Sequence, residues 1–192
     1  MEQKMISESA EILHIDKHST FGCIVLINGT SSAGKTTLAK ALQKHLDEPF
    51  CYYASDQLAE QGFRPLVDFT AGSSERERFF DGFHRSIAAF AMAGNNLIVE
   101  HIVEKQSWAD ELAQLLSPFD VFWVGVHAHL KELKRRERDR KNRSIGEARY
   151  HLATHKYCNY DIEVDSTLPL AANLKLIVDS WRRRISKSGE RG

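Results

Sequence analysis

The stretch NGTSSAGKTT, residues 28–37, constrains this chain more than any other. Gly29 and Gly34 bracket four residues, and Lys35 and Thr36 follow at once. This is the spacing of a loop whose backbone N–H groups wrap a phosphate, helped by the positive end of the helix that comes next. Gly29, Thr30, Ser31, Ser32, Ala33, Gly34, Lys35, Thr36 and Thr37 are therefore candidate nucleotide-binding residues. Lys35 is expected to bridge the β- and γ-phosphates, and the Thr36 hydroxyl to ligate Mg²⁺. The context agrees. CIVLIN (23–28) is a continuous apolar run, as in a strand buried on both faces. KTTLAKALQKHL (35–46) has helical spacing at Leu38, Leu42 and Leu46.

The rest of the chain alternates in the same way. Strands are expected at 50–54, 96–101, 120–126 and 161–165. Helices are expected at 74–94, capped by Ser74, and at 105–116, 130–144, 145–156 and 169–185. Residues 64–74 carry turn signals and read as a loop. Such alternation implies crossover connections and a parallel sheet with helices on both faces. Residues 1–20 read as an N-terminal extension, 21–187 as one domain and 188–192 as a flexible tail. Lys+Arg and Asp+Glu both number 26, so no whole-chain field draws the protein to nucleic acid or anionic lipid. No apolar run approaches the ~20 residues that span a bilayer, and the polar N-terminus lacks the apolar stretch of a signal peptide. Cys23, Cys51 and Cys158 form no paired motif; Cys23 and Cys51 are expected to be small buried hydrophobes, and a reducing cytoplasm is the expected compartment. A GTP switch is disfavoured, because N-K-x-D and a correctly placed D-x-x-G are missing.

Three further features point to transfer chemistry. Asp56 lies just past the second strand, where open parallel sheets bind ligands, and could accept the proton of an attacking hydroxyl or cap a short helix. Glu100 ends the third strand and could serve Mg²⁺ or an acceptor; His101 beside it is a weaker acceptor candidate. Residues 134–146 are rich in arginine, with Arg136 and Arg140 four apart on one helix face and Arg143 near it. The segment follows the fourth strand, where small P-loop kinases carry a lid whose planar donors clamp phosphates. It has no interleaved aromatics, so nucleic-acid stacking is not expected.

NGTSSAGKT, Asp56 in SDQL, FWVGV, the Arg136–Glu137…Arg140…Arg143…Gly146 run, His155 and above all YDIEVDST (160–167) resemble the chloramphenicol phosphotransferase family. The resemblance spans roughly 22–180. It implies a three-layer α/β P-loop kinase fold with a five-stranded parallel sheet and an Arg-rich lid. It also implies ATP as donor, a small-molecule hydroxyl as acceptor and Asp56 as general base. Lys35, Thr36, Arg136 and Arg140 match its phosphate-side residues, and Asp165, Ser166 and Thr167 become candidates beside the adenine. The acceptor carries over poorly, since the family usually has Asp-Asp where this chain has Glu100-His101, and residues 59–90 do not match. Phe63, Phe69, Phe79, Phe80 and Phe83 could line an acceptor pocket or fill the core. The expected activity is chloramphenicol 3-O-phosphotransferase-like. The alternatives are a same-fold kinase for a sugar, nucleotide or nucleotide-sugar, and a nucleotide-binding regulatory protein without transfer.

Overall fold

The apolar run ahead of the phosphate loop forms β1 (Ile24–Gly29), and all six of its residues are buried. Both faces of β1 are covered because it lies at the centre of the sheet, as a continuous apolar strand requires. In the computed structural model, residues 21–67, 69–139 and 146–189 are described. The extension 1–20 and the end of the expected tail, 190–192, lie outside them, as do Arg140 and Arg143.

Among the described residues the sheet has five parallel strands in the order β2-β3-β1-β4-β5, with β2 at Cys51–Ala54, β3 at Leu97–His101, β4 at Val121–His127 and β5 at Ile162–Asp165. Ile24 pairs with Leu97 on one side and Val121 on the other, so the loop end of β1 lies beside His101 and Val126. Alternate side chains feed two cores. Val25, Ile27, Ile98, Phe122 and Val124 pack under α1 (Lys35–Gln43) and α7 (Leu170–Gly189). Ile24, Leu26, Leu97 and Val99 pack under α3 (Ser74–Met92) and α4 (Gln106–Leu115). The connecting pieces are α2 (Ser55–Leu58), which runs into a wider turn over Ala59–Phe63, then α5 (Leu130–Asp139) and α6 (Glu147–Tyr150), which runs into a tight 3₁₀ stretch over His151–Lys156.

Several expectations change. The expected helix over 145–156 is two short pieces, and α7 runs on to Gly189, past the expected end at 185 and into the expected tail. The cap of α3 is Ser73, whose extended backbone (φ −66°, ψ 146°) lets its hydroxyl accept from the Arg76 N–H at 3.3 Å; Ser74 is already helical. Cys51 is exposed because it opens the edge strand β2.

The glycine of FWVGV has a steric purpose. A Cβ on Gly125 would lie 2.7 Å from the Tyr160 ring, and Tyr160 is the first residue of YDIEVDST. The two motifs meet in space, and Gly125 leaves room for the Tyr160 ring. Gly125→Ala is expected to destabilise the fold by about 1–3 kcal/mol through overpacking, lowering the thermal midpoint by about 2–10 °C. Thermal unfolding of the variant beside the parent checks this, and an unchanged midpoint would contradict the packing account.

Glu137 on α5 is 2% exposed and accepts from the backbone N–H groups of Gly146 and Ala148, both at 3.0 Å. It thereby ties α5 to the start of α6. The Ala148 N–H first, then that of Gly146, hold its carboxyl below the usual range. A depressed carboxylate stabilises the fold above its unfolded pKa, and that contribution is lost as pH falls through the depressed value. Glu137→Ala is therefore expected to cost about 1–3 kcal/mol at pH 7. The gap from the parent should narrow as pH falls below the ordinary glutamate value of 4.5. Denaturant unfolding at neutral and acid pH reads both effects.

Candidate active site

The phosphate loop is rigidly held. Thr30, Ser31, Ser32, Ala33 and Lys35 are buried. Gly34 has φ 92°, which a glycine adopts without penalty, and Ser32 adopts φ 63°, the only non-glycine positive φ among the described residues. The buried Ser32 Oγ has no hydrogen-bond partner in the protein. A phosphate oxygen held by this loop would satisfy it. Lys35 donates to the Thr30 carbonyl at 3.0 Å, which keeps its ammonium against the loop. Asn28, just ahead of the loop, is a buried hub. Its Oδ1 accepts from the Val103 N–H at 3.0 Å and the Thr154 hydroxyl at 2.9 Å, and its amide donates to Tyr160 Oη at 2.8 Å.

Thr36 and Glu100 come together, the Thr36 hydroxyl donating to Glu100 Oε1 at 2.8 Å. The other Glu100 oxygen accepts from the Tyr52 hydroxyl. Burial, then Glu100, raises the Tyr52 phenol above its ordinary range, so it stays a donor. Two oxygen ligands at the loop suit a hard cation such as Mg²⁺, which takes a carboxylate or two and completes its shell with phosphate and water. Among the described residues no group of three or more His, Cys, Asp or Glu could hold a metal by itself.

One cavity lies against the loop; a second is linked to it through Glu147, which accepts from the Ser31 hydroxyl at 3.5 Å. The first, of about 370 Å³, is lined by Gly34, Thr37, Val126, Arg136, Ser166 and Asn173. Arg136 donates to the carbonyls of Ala33 (3.3 Å) and Ser166 (2.8 Å), to Ser166 Oγ (2.9 Å) and to Glu132 (2.7 Å). It is thus a tie between the phosphate loop and the end of β5 and forms part of the cavity wall. Of the residues suggested beside the adenine, Ser166 lines this cavity; Asp165 is turned to the Thr167 N–H at 2.8 Å.

The second cavity, of about 360 Å³, is lined by Ser55, Asp56, Arg64, Phe69, Arg76 and His101, among others. Asp56 is exposed in the first turn of α2. The cap position of that helix is Ala54, so Asp56 is not its cap. The phenylalanines divide. Phe83 is core, Phe80 is core and also lines the cavity with Phe69, Phe79 packs against Phe69 at 5.3 Å between centroids, and Phe63 is 73% exposed. His101 reaches the cavity wall but is 2% exposed, with Nδ1 at 3.2 Å from Ser55 Oγ and Nε2 at 3.0 Å from His84 Nε2. Its two nitrogens are therefore occupied by the protein.

Sequence reasoning missed much of this second cavity. Arg76 pairs with Glu104 at 2.5 Å and lies over the rings of Phe80 (4.7 Å) and Trp108 (5.4 Å). His151 Nε2 also approaches Glu104, at 3.4 Å. Burial works to raise the Glu104 carboxyl, but His151 and Arg76 outweigh it and hold it below the usual range. These residues come from α3, the end of β3 and the stretch after α6, with no shared motif. Only the position of Glu104 shortly after a buried strand signals it.

Fold and loop together define a small-molecule kinase: a phosphate-binding loop on a five-stranded parallel sheet, with a cavity against the loop and a second beyond the end of β2. The chain belongs to the chloramphenicol phosphotransferase-like protein family, whose match covers residues 22–182. It is similar to a Mycobacterium tuberculosis protein provisionally named an O-phosphotransferase, 29% identical over 171 positions and covering 76% of each chain. Its fold is similar to that of a sugar kinase from Janibacter (TM-score 0.65, 17% identity, 84% of this chain and 95% of that one). It is also similar to the Mycobacterium tuberculosis APS kinase solved with AMPPNP and APS (TM-score 0.63, 17% identity, 84% and 98%). No described helix is long and apolar enough to cross a membrane.

Proposed function

We propose that the protein transfers the γ-phosphoryl group of ATP to a hydroxyl of a small molecule, in the manner of a chloramphenicol 3-O-phosphotransferase. The observation that carries this reading is that one cavity is lined by Gly34 of the loop and by Arg136, while a second, lined by Asp56, is linked to the loop through the Ser31–Glu147 contact at 3.5 Å. The first takes the nucleotide, with Arg136 and Ser166 beside it; the second takes the acceptor. Asp56 accepts the proton of the acceptor hydroxyl as its oxygen bonds to the γ-phosphorus and the bond to the ADP oxygen breaks. Lys35 offsets the charge that spreads over the moving group. Thr36 and Glu100 would hold Mg²⁺, which when bound neutralises phosphate charge. Arg140 and Arg143, outside the described residues, are assigned to a lid on their sequence spacing from Arg136 alone. ATP as donor and the free thiols of the chain suit a cytoplasmic protein.

ADP release measured with chloramphenicol, a free sugar and a nucleoside as separate acceptors tests the reading. Turnover with chloramphenicol supports it in full and gives the protein a resistance role. Turnover with a sugar or nucleoside alone would replace the acceptor and keep the reaction. No turnover beyond that with water would favour a nucleotide-binding regulator.

A further inference from the structure

Two residues that line the cavity against the phosphate loop carry a buried polar atom with no hydrogen-bond partner in the protein. One atom is Ser32 Oγ, which a phosphate oxygen would satisfy. The other is Asn173 Oδ1, in the first turn of α7. Asn173 is 3% exposed. Its amide nitrogen donates to the Asp165 carbonyl at the end of β5, at 2.7 Å. That bond fixes which way the amide faces, because the flipped amide would set two carbonyl oxygens 2.7 Å apart. The atom left over is therefore an oxygen, and a carbonyl oxygen can only accept.

Two other polar side chains of this wall are already engaged. Ser166 Oγ accepts from Arg136 at 2.9 Å, and Asp139 accepts from Arg135 at 3.0 Å. Much of the remaining wall is apolar. Val126 and Val164 are buried, while Leu168 and Leu170, on either side of Pro169, line the cavity and are still 53% and 40% exposed. A flat ring with an outward donor suits such a wall: its faces lie against aliphatic side chains and its donor meets the open acceptor. Adenine is such a ring, with its 6-amino group as the donor. Guanine and hypoxanthine present a carbonyl oxygen at that position, so two acceptors would face each other.

We infer that Asn173 Oδ1 accepts a hydrogen bond from the 6-amino group of the nucleobase and makes the protein select adenine over 6-oxopurine nucleotides. This rests on the phosphotransferase reading above, in which this cavity takes the nucleotide, and it adds the residue that reads the base. Burial makes the selection sharp. A 6-oxopurine carbonyl brought to Asn173 loses water and gains no donor, and Oδ1 stays unpaired. Asn173 is a specificity residue in this scheme and takes no part in the transfer step.

Isothermal titration of the full chain with nucleoside diphosphates and Mg²⁺ tests this without any acceptor molecule. ADP should bind about tenfold more tightly than purine riboside 5′-diphosphate, which lacks only the 6-amino group, and about a hundredfold more tightly than inosine 5′-diphosphate. Asn173→Leu, similar in size and without the oxygen, should bind ADP and purine riboside 5′-diphosphate alike. Leucine also gives up the bond to Asp165, so thermal unfolding checks that the variant is folded; the comparison of the three nucleotides on the parent stands without it. Equal affinity of the parent for ADP and purine riboside 5′-diphosphate would overturn the inference and leave the nucleotide site standing. A folded Asn173→Leu that keeps the preference for ADP would overturn it as well. A parent that binds none of the three removes both the inference and the reading it rests on.

Discussion

Lys35→Ala is expected to lose phosphoryl transfer by about a thousandfold, with ATP binding weakened as well. The ammonium is held against the buried loop by the Thr30 carbonyl, 3.0 Å away, in a setting with little water to replace it. A charge fixed there acts on phosphate oxygens in both the bound and the reacting states, so affinity and rate should fall together. Isothermal titration with a non-hydrolysable ATP analogue, beside steady-state ADP release, separates the two. Undiminished turnover would mean that this loop does not hold the transferred phosphate.

Asp56→Asn should divide the two effects instead. Asp56 lines a cavity that contains no residue of the loop, so its loss is expected to remove the proposed base and leave the loop untouched. A drop in turnover of about 10²–10⁴-fold is the ordinary cost of losing a positioned base, with affinity for the ATP analogue unchanged. Asparagine keeps the size and a hydrogen-bonding oxygen, so a fall in rate reports proton transfer and not altered packing. Equal turnover in the variant would assign the proton to another group.

The strand, loop and helix over residues 24–43 were legible in the sequence because local chemistry dictates them. The loop glycines, the apolar strand before them and the Leu38–Leu42 spacing after them are decided within a few residues of one another. The position of Asp56 just past β2 follows from one strand and one turn. What the residues do not announce is which strands become neighbours. Tyr52, Thr36 and Glu100 meet because β3 inserts between β2 and β1, and no pattern in any of the three segments encodes that order. The same holds for Cys51, whose apolar surroundings in sequence suggest burial although it opens the edge strand. The Arg76–Glu104 pair and the His84–His101 contact join α3 to the end of β3, and each member read alone is an ordinary helix or strand residue. Gly125 and Glu137 are intermediate cases. They stand in recognisable motifs, but their reasons, room for Tyr160 and two backbone donors to hold, are visible only in three dimensions.

In the proposed reaction the γ-phosphoryl group leaves ATP for a hydroxyl on a second, small molecule. The most direct measurement follows the label from [γ-³²P]ATP into product with the parent protein and Asp56→Asn, across chloramphenicol, a sugar and a nucleoside. Label is expected to appear on an organic acceptor in step with ADP and to be lost with the variant. Label that stays in ATP, or leaves only as inorganic phosphate with every acceptor, would contradict it.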